Sequence, residues 1–333
     1  MSAVEQKTVT ADEAGMRLDR WFKAHYPGLG FGRLQKLLRT GQVRIDGKRA
    51  ESNTRIATGQ MIRIPPLGVE LPADDKKNAR PKSSKLLADD KAAVEDMLLF
   101  EDSQVMVLNK PAGLAVQGGS GLKRHLDGML AAFANKKGEK PKLVHRLDRE
   151  TSGIILVAKT RKAAQELTKA FRHRNTRKIY WAMLAGVPKP RQGRISTYLA
   201  RDEGEERMKV ARHGEDDAQH AVSLYSVFEQ SAQKLSWVTM KPVTGRTHQL
   251  RAHAAHIGHP IIGDDKYFNI ENWELPGGIQ NRLHLLARRI VIPHPSGNGV
   301  IDVSAPLPPH MQQTWNLLGF EVSDYDPETD DPE

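Results

Sequence analysis

His145-Arg146-Leu147-Asp148-Arg149-Glu150-Thr151-Ser152-Gly153 runs directly into the apolar stretch Ile154 to Ala158. The apolar stretch reads as a strand, so the ionisable run before it is a loop that a scaffold can hold in place. Asp148 stands between Arg146 and Arg149, whose fields keep a carboxylate ionised. That suits a nucleophile or a general base near neutrality and not a general acid. The same chemistry is equally compatible with an Arg/Asp turn network that only staples the loop.

Working outward, Val105, Val107 and the run into Lys110-Pro111 read as a strand ended by proline, with further strands at Ile179 to Leu184, Ala221 to Phe228 and Leu235 to Met240. Arg161 to Arg172 has Ala164, Leu167, Ala170 and Phe171 at helical spacing. Strands dominate with few helices between them, so the expected body, residues 97–319, is α+β with a mixed, mainly antiparallel sheet.

Residues 16–66 have a different organisation. Leu18, Trp21 and Phe22 fall at helical spacing, and Leu34, Leu37 and Leu38 mark a second helix, with Gly41 just past its end. Val43 to Ile45 alternates before the turn dipeptide Asp46-Gly47, and Met61 to Ile64 alternates again. A helix pair plus a β-hairpin is expected there. Eleven basic residues against three acidic ones between Met16 and Ile64 point to a polyanionic partner. Residues 1–15 read as an extension, and 67–96, rich in Pro, Lys, Asp and Ala near their start, as a linker. From Phe320 to Glu333 there are seven carboxylates and no basic residue, which reads as a disordered acidic tail.

The whole chain has 333 residues, with 50 Lys plus Arg against 40 Asp plus Glu and no cysteine. That length suggests two domains. The missing cysteines exclude disulfide scaffolds, thiolate metal sites and thiol nucleophiles. No apolar run is long enough for a membrane helix, and the first residues read as neither signal nor transit peptide, so no membrane association and a cytoplasmic location are expected.

A second dense run is Thr244-Gly245-Arg246-Thr247-His248-Gln249-Leu250-Arg251, turn chemistry passing into a helix. Arginines at a helix start run against the dipole, and a bound phosphate or a facing carboxylate would account for them. His253, His256 and His259 are three apart, but no Glu accompanies them in a zincin pattern, so no metal site is expected. Gly118-Gly119-Ser120-Gly121 lacks the Lys-Ser/Thr ending of a phosphate loop and reads as a flexible loop.

Together, His145-Arg146-Leu147-Asp148 with Thr151-Ser152-Gly153, and Thr244 to Arg251 followed by Gly258-His259-Pro260-Ile261-Ile262-Gly263-Asp264, resemble the RluA-type pseudouridine synthases. Leu108-Asn109-Lys110-Pro111-Ala112-Gly113 is similar to that family as well, and the basic amino-terminal module resembles an S4 RNA-binding domain. The resemblance implies base flipping and isomerisation of specific uridines in RNA, large-subunit ribosomal RNA above all. It implies Asp148 as the catalytic aspartate, Arg146 as the arginine entering the stack behind the flipped base, and Tyr180 as the tyrosine stacking on uracil. Arg246 is expected to be the basic catalytic residue that pairs with that carboxylate, with Arg251, otherwise an RNA-binding residue, as the alternative. Arg33, Lys36, Arg39, Arg44, Lys48 and Arg49 are expected on RNA phosphates. The resemblance implies a monomer with no cofactor, because isomerisation consumes no redox equivalent or phosphate donor. A noncatalytic RNA-binding factor on a retired synthase body is the competing reading, and the intact Asp148 motif stands against it. A DNA-binding regulator using Gly32 to Arg39 as recognition helix would leave residues 97–318 unexplained.

Overall fold

The computed structural model of the chain describes residues 4–10, 13–26, 28–67, 84–118, 122, 124–135, 138–173, 176–268 and 277–324. It divides into two compact units, Met1–Ser83 and Ser84–Glu333.

The first unit begins with strand β1 (Glu5–Thr8), followed by helices α1 (Leu18–His25) and α2 (Phe31–Arg39), then strands β2 (Arg44–Ile45), β3 (Lys48–Arg49) and β4 (Met61–Ile64). The expected helix pair and hairpin are both there. Asp46 and Gly47 take positive φ of 48° and 75°, the requirement of a two-residue type I′ turn, and β2 pairs antiparallel with β3 across it. Leu18, Trp21 and Phe22 of α1, Leu34 and Leu38 of α2, and Val43, Ile45, Ile62 and Ile64 of the sheet close one core. Burial of each large side chain contributes roughly 1.5–3 kcal/mol. Of the expected extension, residues 4–10 belong to this fold: β1 pairs antiparallel with β4, and Val9 is buried in the same core. The strand Glu-Gln-Lys-Thr is polar throughout because it is an exposed edge, and polarity hides it from a search for apolar alternation.

The second unit opens with helix α3 (Ser84–Glu95), in sequence read as linker. Its buried face is narrow, Val94 together with Asp90, and Asp90 takes an ion pair from Arg124 at 3.4 Å. A face half made of a carboxylate leaves no apolar stripe to detect. Strands β5 (Leu98–Glu101) and β6 (Val105–Lys110), helix α4 (Leu126–Met129), strands β7 (Lys142–Leu143) and β8 (Ser152–Ala158), and helix α5 (Arg161–Arg172) follow. Then come β9 (Arg177–Ala185), β10 (Gln192–Arg201), β11 (Met208–Ala211), β12 (Gln219–Ser231), β13 (Leu235–Pro242), helix α6 (Gln249–His256), β14 (Leu285–Pro293), β15 (Val300–Ser304) and helix α7 (Pro309–Leu318).

The strands form one sheet in the order β11-β10-β12-β13-β9-β14-β8-β6-β5, with β15 added to β14 and β7 to β8. Among the described residues every pairing in it is antiparallel except β8 with β14, so the sheet is mixed and mainly antiparallel, as expected. β8 is buried at all seven positions, Ile154, Leu156 and Ala158 on one face and Ile155 and Val157 on the other. A strand covered on both sides has to be a continuous apolar run. At its start the parallel register sets Gly153 opposite Ala287, and β9 sets Tyr180 opposite the same Ala287. Gly153 has φ 105°, and a Cβ there would run into the Ala287 backbone. Only glycine lets the chain leave the Asp148 loop and enter the sheet this closely.

Trp181, Trp237 and Trp315 pack in sequence, with ring centroids 4.6 and 5.3 Å apart, and Phe320 joins them. The acidic segment is therefore not free from its start. Phe320 is buried, and Val322–Asp324 forms a short 3-10 helix, while residues 325–333 lie outside the described residues.

Candidate active site

Three elements converge on one cavity of about 660 Å³: the loop before β8, the start of β9, and the turn that enters α6. Arg146, Asp148, Tyr180, Arg246 and Arg251, far apart in sequence, all line it. A second cavity of about 530 Å³ shares Arg146, Leu147, Asp148, Thr247 and Arg251 with the first. Asp148 thus stands at the divide between two hollows, and Arg146 is exposed beside it.

The loop carrying Asp148 is pinned from both ends. His145 Nε2 accepts the Leu156 N–H at 2.8 Å, and burial, with the Lys178 charge nearby, pushes the imidazole down to about 3, so it is neutral and able to accept. On the far side, the buried Lys110 ammonium donates to the carbonyls of Pro111, Leu114 and Arg149 at 2.9, 3.0 and 2.9 Å. The strand register of β6 with β8 puts Lys110 opposite Gly153.

The turn into α6 is held by Gln249. Its Oε1 accepts from Thr244 Oγ1 at 2.6 Å and from the Arg246 N–H at 3.0 Å, and its Nε2 donates to the Val222 carbonyl at 2.8 Å and to Ser223 Oγ at 2.9 Å. His248 closes the turn in the left-handed region, φ 50°, a conformation that histidine tolerates better than most non-glycine residues. Tyr267 OH lies 3.2 Å from His248 Nδ1 and accepts the Met208 N–H at 2.7 Å.

The two arginines differ sharply. Arg251 is buried and bonds Asp264 through Nε at 2.7 Å and through a terminal nitrogen at 2.5 Å, with Asp265 at 3.1 Å. Burial opposes its charge, but the hydrogen bonds and field of Asp264, then the fields of Asp148 and Asp265, raise its pKa. The facing carboxylate suggested by an arginine at this helix start is Asp264. Gly263, with φ 72°, brings Asp264 there, and a Cβ on it would meet the Arg282 backbone. Arg246 is exposed at the cavity and anchored outside it, donating to the His220 carbonyl at 3.0 Å and to Gln219 Oε1 at 2.9 Å. Burial and the Asp148 charge push the Tyr180 hydroxyl far up, so it stays protonated at neutral pH.

The histidines spaced by three go to separate structural partners. His253 is buried between Ser223 Oγ at 2.8 Å and Thr197 Oγ1 at 3.0 Å, and His259 pairs with the Ala185 carbonyl at 2.8 Å. Among the described residues no group of three ligating side chains gathers. Of the glycine run, residues 119–121 lie outside the described residues, and Gly118 lines the second cavity.

In the first unit Arg33, Lys36, Arg39, Arg44, Lys48 and Arg49 are all exposed on α2 and the hairpin. Two also serve the backbone: Arg33 donates to the Leu67 carbonyl, and Arg44 to the carbonyls of Gly41 and Gly47 at 3.0 and 3.1 Å. No helix is long and apolar enough to cross a membrane among the described residues.

Lys110, His145, Lys178, Gln249 and Asp264 join the site only once the chain is folded; sequence reasoning does not mark them as site residues. All of these but Lys178 lie inside the motifs that carry the family resemblance, and for Lys110 and Asp264 a charged residue locked in a turn-rich stretch is the signal that could have found them.

Residues 104–256 match the family described as RNA pseudouridylate synthase. The "Ribosomal large subunit pseudouridine synthase C" of Vibrio cholerae serotype O1 is 33% identical over 313 residues, 93% of this chain and 95% of that one. The protein of the same name from Yersinia pestis is 36% identical over 308 residues, covering 91% and 92%. Among solved structures, "Human RNA Pseudouridylate Synthase Domain Containing 4" superposes with a TM-score of 0.59 at 28% identity, over 72% of this chain and 98% of that one.

Proposed function

The chain belongs to the RNA pseudouridylate synthases and isomerises uridine to pseudouridine in RNA; from that premise we propose that its substrate is large-subunit ribosomal RNA, modified in the cytoplasm, and that Asp148 is the carboxylate on which the reaction turns. The N1–C1′ bond breaks, uracil turns in the site, and C5 bonds to C1′ while the C5 proton leaves and N1 ends protonated. No redox equivalent or phosphate donor enters that balance, and a monomer without cofactor suffices.

The observation that carries this reading is the position of Asp148: among the described residues, one carboxylate lines a cavity with five cationic side chains, beside Tyr180 and the buried Arg251. Of the two arginines, Arg251 is the one we assign to Asp148, because it shares its field and is immobilised by Asp264. That reverses the expectation from sequence, and Arg246, exposed and anchored to β12, is left to bind RNA. Tyr180, protonated at neutral pH, suits stacking and hydrogen-bond donation to uracil. Arg146, exposed at the divide between the hollows, suits replacement of the extruded base, since a planar guanidinium recovers part of the stacking lost on flipping. The six exposed basic residues of the first unit fit an S4-type RNA-binding module acting on phosphates.

Tritium release from uracil C5 in large-subunit ribosomal RNA transcripts tests the proposal. Release by the intact protein and none by Asp148→Asn, with RNA binding retained, is expected. No release from any large-subunit fragment would remove the substrate, and comparable turnover by Asp148→Asn would remove the assigned residue.

A further inference from the structure

Among the described residues, the cavity around Asp148 is lined by five cationic side chains, and four of them are accounted for. Arg251 is bound by Asp264 and Asp265, and Arg246 by Gln219 and His220. Arg146 and Arg172 are exposed and solvated. The fifth is Lys178. It is partly buried on β9, and among the described residues nothing hydrogen-bonds or ion-pairs with its ammonium. Its neighbour His145 is neutral and spends its Nε2 on Leu156. Burial lowers the Lys178 pKa, and no carboxylate offsets it. A cation left in such a place costs free energy until an anion arrives.

Lys178 precedes Tyr180 by two residues on one strand, so both side chains face the cavity, separated along the strand by roughly 7 Å. That is about the span from a pyrimidine ring to the phosphate of its own nucleotide. Resting on the reading of this cavity as the uridine site, we propose that Lys178 binds one of the two phosphates flanking the target uridine. Of the three parts of a nucleotide, only the phosphate is anionic. The interaction has a use in the reaction: once the glycosidic bond is open, the base must turn while the sugar stays, and a held phosphate keeps the sugar.

The test reads binding in the Asp148→Asn background, so that turnover plays no part. The probe is the tightest-binding large-subunit ribosomal RNA hairpin with a single loop uridine, made with a neutral methylphosphonate at either flanking linkage. One of the two linkages should weaken binding by roughly 10- to 100-fold, the scale of a lost charge-assisted hydrogen bond. Lys178→Gln should weaken the unmodified hairpin equally, and the two changes together should cost no more than either alone. Lys178→Arg should bind within a few-fold of the parent and, with Asp148 restored, keep releasing tritium, because a guanidinium binds phosphate. Independent, additive losses at both linkages would overturn the proposed pairing. So would unchanged binding by Lys178→Gln. An arginine variant that binds normally yet never turns over would instead make Lys178 a proton carrier, since arginine cannot give up its proton. Absence of tritium release by the wild-type chain would fall on the uridine reading and would leave these binding results standing by themselves.

Discussion

The Lys110 ammonium donates a 2.9 Å hydrogen bond to the carbonyl of Arg149, 39 residues away and next to Asp148. The same carbonyl accepts the Gly113 N–H at 2.9 Å, and Arg149 Nε returns a bond to the Gly113 carbonyl at 3.1 Å. A charged residue that is fully buried is thus the clasp between the turn after β6 and the loop that carries the carboxylate. Lys110→Met keeps the volume and removes the clasp. It should cost about 1–3 kcal/mol of stability through the three charge-assisted hydrogen bonds it removes. Tritium release should fall by more than that loss explains, measured below the melting temperature of both proteins, because a small displacement of Asp148 is enough to lower the rate.

The clasp has a pH limit. Burial lowers the Lys110 pKa from 10.5 to about 8, against the fields of Glu150 and Asp148. A neutral amine has two N–H groups for three carbonyls, so activity should decline as pH rises through about 8. The fold should respond oppositely. Between the folded and unfolded values the unfolded chain binds more protons, so this group makes stability rise with pH from about 8 to 10.5 and withholds that stability below it. Rate profiles and circular dichroism taken together check the split, and Lys110→Met should lose this limb of the profile.

Arg251 and Arg246 should separate cleanly under mutation. Asp264→Asn leaves the Arg251 charge buried without its main partner and should destabilise the protein by about 3–5 kcal/mol. Arg246→Gln removes an exposed side chain and should leave the melting temperature alone while raising KM for RNA. Thermal melts beside steady-state tritium release decide it, and a stability loss confined to Arg246→Gln would return the pairing role to Arg246.

Gly153→Ala should be among the most damaging small changes in the chain. The added methyl meets backbone of Ala287 at a φ of 105°, and neither a rotamer nor a side-chain shift relieves it. More than about 4 kcal/mol is expected, visible as insoluble or unfolded protein. Gly32→Ala on α2 is the contrast. Nothing lies within 4 Å of its Cβ, and helix propensity should make it stabilising by roughly 0.5–1 kcal/mol.

Legibility in the sequence follows the range of the forces involved. β8 and the hairpin at Asp46-Gly47 are legible because continuous burial and positive φ leave local marks on residue choice. Asp148 and Arg251 stand out because ionisable residues are packed at turns. α3 escapes notice because half of its buried face is Asp90, whose partner Arg124 is remote in sequence. β1 escapes because an exposed edge strand needs no apolar residues. The preference between Arg246 and Arg251 depends on Asp264, thirteen residues beyond Arg251, and no local rule ties the two. Lys178 is invisible for a related reason: only the fold shows that the side chain two residues before Tyr180 faces the same cavity without a partner among the described residues.

The basic residues of the first unit make a prediction that does not touch the chemistry. Arg33, Lys36, Arg39, Arg44, Lys48 and Arg49 are exposed, whereas the described residues lining the Asp148 cavity all belong to the second unit. Removing residues 1–83 should therefore weaken RNA binding and flatten its dependence on salt, because each phosphate no longer neutralised keeps its counterion, roughly 0.7 in slope on single strands. Six such side chains bound the change in slope at roughly 4. At saturating RNA the shortened protein should still release tritium, since the second unit has its own core and its own site. A slope that stays put would show that the first unit neutralises no phosphate, however basic its surface. Failure to turn over at saturation would mean that it contributes to the arrangement of the substrate and not only to its capture.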